Sequence, residues 1–547
     1  MFLRVEALGR VVGYLAHDRS KLRESSSTVV YVLFRDTLRP LTLLLAVLAG
    51  YFADWAFPDR NLWPLAFLSI AVLTIALSRN SARWNFLVGY LWGVAFFLPH
   101  ISWAQYAVGG NLPWIVLSLA EALFPALAAW GWTYIRRIPR VQGSLTLSAL
   151  TFATTWVAVE KFRMVVPWGG FPWGRLGFSQ SESILSRYAW LGGVPLISFV
   201  IVLVGALLAG AFISLTTGDI LRVGAALAGT AVLVAGAFLV PIEGNAEAGQ
   251  LNVGGVQGNV SRPGADAFSN RQEVLNNHVA GTHELAQSEA GADLDLIVWP
   301  ENGTDIDPQV DQNAYDLIDG AAQAAGVPLL IGAQEYPETG GRYNVSLLWE
   351  HGEGVTGRYV KQRPVPFGEF IPARDFFRAI YPDVDRISID MFAGDKPAVL
   401  DVPIARLDRN VPVGPIICFE VAYDDIIHDS VKNGAEILFV QTNNASFGPT
   451  NESTQQLAMS RLRAIETGRP VMQISTVGVS AIYTPTGREV VRSGHFTAEQ
   501  ISATVNLRTS ITPAVRLGEW PVLIVSAGTV LLVAAGFIAS RRAKTAK

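Results

Sequence analysis

The chain has 547 residues and a formal net charge of −4; half its residues are hydrophobic and only 16% are charged, against about 25% in soluble domains. That balance argues against a wholly soluble protein and leaves no basic patch suited to nucleic acid. One cysteine excludes an intramolecular disulfide framework or a multi-cysteine metal site, and the seven histidines show no HExxH or HxxxH spacing, so no metal and no other cofactor is expected.

Residues 1–40 carry Arg4, Arg10, Arg19, Lys21, Arg23, Arg35 and Arg39. They are too polar for a signal-peptide core and read as a basic cytoplasmic segment suited to anionic lipid. Apolar stretches then recur near 41–57, 62–78, 86–103, 113–135, 145–161, 190–214 and 222–241, and once more at 521–540. Each approaches the roughly 20 residues a bilayer core requires. The reading is a seven-helix membrane domain at 41–241, a globular domain at 243–515, a closing membrane helix at 521–540 and a cytoplasmic tail at 541–547. Basic residues cluster in alternate loops: Arg79 and Arg83, then Arg136, Arg137 and Arg140, then Arg222, then Arg541, Arg542, Lys544 and Lys547. The positive-inside rule therefore places both termini in the cytoplasm and 243–515 outside.

The outward loop at 162–189 sets Trp168, Phe171, Trp173 and Phe178 among glycines and prolines. It reads as an interfacial aromatic belt, or as a rim seating a lipid beside an outward site; the two are compatible.

The globular domain alternates strand and helix. Strands are predicted at 250–257, 294–299, 327–334, 343–349, 354–360, 412–418, 436–442 and 470–475, with two more joined by the turn at 484–487. Helices are predicted at 271–289, 311–325, 421–433 and 452–467. The order is layered α/β. Glu301, Lys361 and Cys418 each follow an apolar strand, where open α/β sheets place ligands. Taken singly they read as a helix cap, a solvated charge and an inert core thiol. Together they suit acyl transfer: a thiol nucleophile, a carboxylate general base and an ammonium for the oxyanion.

The residues WPE at 299–301, Lys361 and CFE at 418–420 resemble the Glu-Lys-Cys triad of the nitrilase superfamily. KQRPVPFGEFIP at 361–372, VQGN at 256–259, FPWGRLGFSQ at 171–180 and RLRAIETGRP at 461–470 are similar to the apolipoprotein N-acyltransferases. The resemblance implies a four-layer αββα sandwich beside about eight transmembrane helices, in a bacterial inner membrane, as a monomer. It implies an enzyme that moves an acyl chain from a phospholipid such as phosphatidylethanolamine, through a cysteine thioester, to the free α-amine of the S-diacylglyceryl-cysteine that begins an apolipoprotein. By that resemblance Glu301 is the base, Lys361 the oxyanion stabiliser and Cys418 the nucleophile. Glu369 and Glu420 match supporting acidic positions, and Glu466 is expected to be structural, paired with Arg461 or Arg469.

Three positions depart from the family pattern. Phe419 stands where tyrosine is usual, Ser446 where an aromatic is usual, and Phe268 stands in for a tryptophan after VQGN. Phe171, Trp173 and Phe268 are the candidate substrate-loop residues, and Phe419 joins the supporting set. Two competing readings are a membrane-tethered carbon–nitrogen hydrolase that uses water as acceptor, and a non-enzymatic lipid-binding scaffold. The expected topology has a direct check: cysteines introduced at 79–83 and 136–140 should react with a membrane-impermeant thiol reagent only from the cytoplasmic side.

Overall fold

The structure is a computed structural model that describes residues 39–107, 110–261 and 272–545. Most of the basic N-terminal segment, and Phe268, lie outside the described residues. Helices coincide with all eight apolar stretches: α1 (Arg39–Trp55), α2 (Leu65–Ala76), α3 (Ala82–His100), α4 (Asn111–Glu121), α5 (Leu123–Ile135), α6 (Leu145–Arg163), α7 (Tyr188–Thr216) and α8 (Ile220–Phe238), then a last helix, Trp520–Thr545, after the globular domain. Among the described residues, four segments are long and apolar enough to cross a membrane: Asn111–Ile135, Ile184–Thr216, Ile220–Phe238 and Trp520–Arg542. The stretch expected as one span at 113–135 is two helices meeting at Ala122.

Lipid tails give little hydrophobic drive between helices, so close packing through small residues must hold them together. Gly93 of α3 illustrates this. A Cβ there would lie 2.6 Å from Ala122 Cα, so only glycine lets α3 approach the junction of α4 and α5. In α7 the backbone leaves helical geometry at Gly192 and Gly193. Gly193 has φ +68°, and a Cβ there would lie 2.7 Å from Glu466 Oε1 of the globular domain. The bend and the missing side chain together let the two parts of the chain meet.

The globular domain holds two six-stranded sheets. The first runs β12-β1-β2-β3-β4-β5 and the second β11-β10-β9-β8-β7-β6. The first contains β1 (Gln250–Gln257), β2 (Leu296–Val298), β3 (Leu329–Glu335), β4 (Tyr343–Glu350), β5 (Gly354–Val360) and β12 (Glu499–Asn506). The second contains β6 (Leu400–Ile404), β7 (Arg409–Ile417), β8 (Ile437–Thr442), β9 (Val471–Ser475), β10 (Ala481–Tyr483) and β11 (Glu489–Arg492). In each sheet three central strands pair in parallel (β1, β2 and β3; β7, β8 and β9) and the outer pairings are antiparallel. Helices α9 (Glu273–Gln287) and α10 (Gln312–Ala325) cover the first sheet, closing a core that includes Leu275, Trp299, Ile318 and Trp349. Helices α11 (Asp424–Lys432) and α12 (Glu452–Thr467) lie on the second sheet, and α12 also packs on α7. The architecture is the αββα sandwich with a helical membrane body attached. A second, continuous core runs from Trp92 and Phe178 through Phe439 to Val298.

Strands β6 and β12 were not predicted. Both are edge strands: β6 is short and contains Pro403, and β12 alternates only partly in burial. The predicted helix at 421–433 begins as a tight turn, Cys418–Ala422, before α11.

Two glycines separate packing from propensity. Gly93→Leu should destabilise the detergent-solubilised protein by about 1–3 kcal/mol through overpacking. Gly320→Ala, in α10 with nothing within 4 Å of the new Cβ, should stabilise it by about 0.5–1 kcal/mol through helix propensity. Thermal unfolding followed by circular dichroism checks both.

Candidate active site

Strand β7 ends in Ile417 and the chain turns sharply into Cys418–Ala422. Cys418 has φ +53°, a conformation uncommon for a side-chain-bearing residue and typical of functional turns. The turn projects Sγ toward the end of β8, where Thr442 Oγ1 lies 3.4 Å away. Gln456 Nε2, from α12, lies 3.7 Å from the same sulfur.

Glu301 follows β2 through Trp299 and Pro300. It is buried, and every hydrogen bond it makes is accepted: from Asn344 Nδ2 at 2.7 Å, Lys361 Nζ at 3.3 Å and the Asn443 backbone N–H at 3.0 Å. Lys361 follows β5, is wholly buried, and donates also to Glu369 Oε1 at 2.5 Å. Burial opposes its charge, but Glu369 and Glu301 outweigh that and hold it above the ordinary ammonium range. The thiol moves the same way. Burial pushes Cys418 well above its usual value and Glu301 adds to the rise, while Lys361 opposes it. The buried surroundings thus favour the neutral thiol at Cys418.

The other acidic residues divide by contact. Glu369 touches Lys361 directly and accepts from the Val365 N–H at 2.7 Å, folding the loop after Lys361 back on itself. Glu420 does not bond to Lys361. It accepts from Tyr359 Oη (3.0 Å), the Gln362 N–H (2.6 Å) and the Ile417 N–H (2.9 Å), clamping the β5 end to the cysteine turn. Burial raises its carboxyl to about 7 against those donors.

Phe419 stacks on Trp173 with ring centroids 5.2 Å apart and also meets Phe171 at 5.7 Å. Trp173 is fully buried and donates to Gln455 Oε1 at 2.6 Å. It is a wall between membrane body and catalytic domain rather than a lipid-facing rim. The exposed ring of that loop is Trp168, which meets Phe367 and Phe377. Arg175 of the same loop bonds Asp424 Oδ1 at 2.8 Å. Burial opposes ionisation of Asp424, but Arg175 and Arg463 hold its carboxyl well below the usual range. Glu466 is structural, but its partners are Arg463 at 2.5 Å and His428 at 2.8 Å, not Arg461 or Arg469. Arg461 faces Glu182, and Arg469 binds backbone carbonyls of Ala435 and Ser510. At Ser446 the departure is partly filled by its neighbour, since Phe447 meets Trp103 at 5.2 Å.

Sequence reasoning missed Asn344, Thr442, Glu452 and Gln456. The available signal was the spacing Glu452, Gln456, Ser460, Arg463, a polar stripe along one helix face. Such a stripe ordinarily faces water, but here all four are buried.

Residues 256–512 match the carbon–nitrogen hydrolase model, and residues 49–207 match the model described as the apolipoprotein N-acyltransferase N-terminal domain. The fold and the Glu-Lys-Cys cluster thus define a carbon–nitrogen hydrolase domain joined to a helical membrane body. An apolipoprotein N-acyltransferase of Mycolicibacterium smegmatis is 34% identical over 91% of this chain and 86% of its own length; one of Azotobacter vinelandii is 32% identical over 92% and 96%. An amidase from Nesterenkonia sp. aligns with 52% of this chain and 97% of its own, at 14% identity and a TM-score of 0.37. The chain belongs to the apolipoprotein N-acyltransferase family, a membrane-bound acyltransferase branch of the carbon–nitrogen hydrolase superfamily.

The cluster makes two checkable demands. Because the thiol is held protonated at neutral pH, iodoacetamide should alkylate Cys418 more slowly at pH 7 than free cysteine, whose pKa is about 8.5. The rate should still be rising at pH 9–10, as mass spectrometry of the modified peptide would record. Lys361→Met leaves Glu301 and Glu369 buried without their cation and should cost about 3–5 kcal/mol of stability.

Proposed function

We propose that the chain transfers an acyl group from a phospholipid of the phosphatidylethanolamine type to the α-amine of the N-terminal S-diacylglyceryl-cysteine of apolipoproteins. The observation that carries this reading is one buried cluster in which a neutral thiol, a hydrogen-bonded carboxylate and a buried ammonium adjoin a seam of aromatic rings continuous with the membrane body.

In the first half-reaction Glu301 takes the thiol proton as Sγ attacks the lipid ester carbonyl. Lys361 stabilises the developing oxyanion. The C–O bond breaks, Glu301 returns the proton to the leaving alkoxide, and a lysophospholipid departs from a Cys418 thioester. In the second, the lipoprotein amine attacks the thioester carbonyl and gives its proton to Glu301. The C–S bond breaks, the amide is formed, and Glu301 gives the proton to the departing Cys418 sulfur. A thioester is more reactive toward amines than an ester is, and splitting the transfer gives ping-pong kinetics. Acyl chains gain about 0.8 kcal/mol per methylene by staying in the lipid phase, which suits a site reached from the bilayer.

The membrane arrangement belongs to the same proposal: eight spans, both termini cytoplasmic, the catalytic domain on the outer side of a bacterial inner membrane, and a monomeric enzyme. The alternation of basic loops supports it.

The test is incubation of purified protein with phospholipid bearing a labelled acyl chain. Label should attach to the wild type, be released by neutral hydroxylamine, and be absent from Cys418→Ala. Adding a diacylglyceryl peptide should move the label to its amine. Absence of covalent label would overturn the mechanism, and release only as free fatty acid would identify a hydrolase.

A further inference from the structure

Around the sulfur of Cys418 the side-chain hydrogen bonds can be counted almost completely. Asn444 Oδ1 accepts from Ser475 Oγ at 2.5 Å, which fixes the orientation of its amide. Its Nδ2 then donates to Glu452 Oε2 at 2.6 Å and to Gln456 Oε1 at 3.0 Å. Thr442 Oγ1 donates to the same Gln456 oxygen at 2.7 Å. Two donors thus fill the carbonyl end of Gln456. Flipping its amide would set an N–H group against the Asn444 N–H, whose orientation Ser475 fixes. The amide nitrogen is left facing Cys418 Sγ at 3.7 Å, in a side chain with no exposure to solvent.

Lys361, by contrast, already donates to Glu301 and Glu369. Two of its three N–H groups are thereby taken, and the Thr442 hydroxyl, 3.4 Å from Sγ, has its one proton on Gln456 Oε1, which leaves the Gln456 amide as a buried donor facing the sulfur. We infer that Gln456 is a catalytic residue whose Nε2–H stabilises the negative charge on Cys418 Sγ, and that Thr442 and Asn444 are positioning residues that aim it. This rests on the reading of Cys418 as the acyl-carrying nucleophile. The interaction acts twice. It assists while the thiol proton passes to Glu301 and Sγ attacks. It assists again when the C–S bond of the tetrahedral adduct breaks and the electron pair returns to sulfur, before Glu301 gives the proton back. Glu452 secures Asn444 from the far side. Burial raises its carboxyl to about 8, so that at neutral pH it does not place a second negative charge near Glu301.

The experiment compares full-length wild type, Gln456→Met and Thr442→Val. Methionine keeps the length and volume of glutamine but cannot donate; valine keeps the shape of threonine. Two readouts are taken: the pH profile of Cys418 alkylation by iodoacetamide, and the rate of acylation by labelled phospholipid. A hydrogen bond to a charged acceptor corresponds to roughly a ten- to hundred-fold change in the ionisation equilibrium. In Gln456→Met the alkylation profile should therefore move upward by about one to two pH units, and acylation should slow by about ten- to a hundred-fold. Thr442→Val should shift both in the same direction by less. A Gln456→Met protein with the wild-type alkylation profile and acylation rate overturns the inference. If Gln456→Met does not fold, Thr442→Val decides: an unchanged profile there overturns it. Failure of the wild type to take up label would instead count against the thioester mechanism, and the alkylation profiles read Gln456 independently of that outcome.

Discussion

A buried ammonium organises this site. Taking the Lys361 charge out of water costs several kcal/mol even after relaxation, and only well-placed carboxylates offset it. Glu301 and Glu369 supply them from different parts of the chain, one after β2 and one from the loop beyond β5. Each is tied down in turn: Glu301 by Asn344 and Asn443, Glu369 by the Val365 backbone. The ends of β2, β4, β5 and β8 are thereby held together, and the cysteine turn is brought against them. A chemical requirement and a folding requirement are met by the same ion cluster.

The cluster leaves the thiol neutral, which shapes the chemistry. A preformed thiolate would need net positive surroundings, whereas Lys361 here is balanced by two carboxylates. Thr442 Oγ1 and Gln456 Nε2 lie nearest the sulfur, and with the Thr442 proton on Gln456 Oε1 the amide is the donor that faces it.

Helix α12 joins this chemistry to the membrane. One face presents Gln456 to the cysteine, and the neighbouring Gln455 binds Trp173 and Trp103 of the membrane body. Farther along, Glu466 fits the space left by Gly193 in α7 and binds His428 and Arg463. Phe419, next to the nucleophile, closes the seam by stacking on Trp173. Rotation of the catalytic domain relative to the membrane body would break buried polar and aromatic contacts together, so the cysteine is held at a set position relative to the bilayer helices.

Much of this was legible in the amino-acid order. The eight apolar stretches, the boundaries of β1 and β5 and the placement of Glu301, Lys361 and Cys418 after strands depend on local pattern, because chain period and composition dictate what a segment can bury. Edge strand β12 escaped because its partner β1 is distant in sequence and its alternation is weak, and β6 because it is five residues long and contains Pro403. Trp173 read as a lipid-facing aromatic and the polar stripe of α12 carried no functional reading, since a sequence holds no record of what covers a surface. Glu466 was matched to the wrong arginines for the same reason: ion-pair choice is decided by distance in space. The sequence by itself determined the elements and the reactive groups. Only the tertiary structure decided which polar side chains are buried around the sulfur, because burial, and with it the strength of every charge and hydrogen bond in the site, is a property of the packed whole.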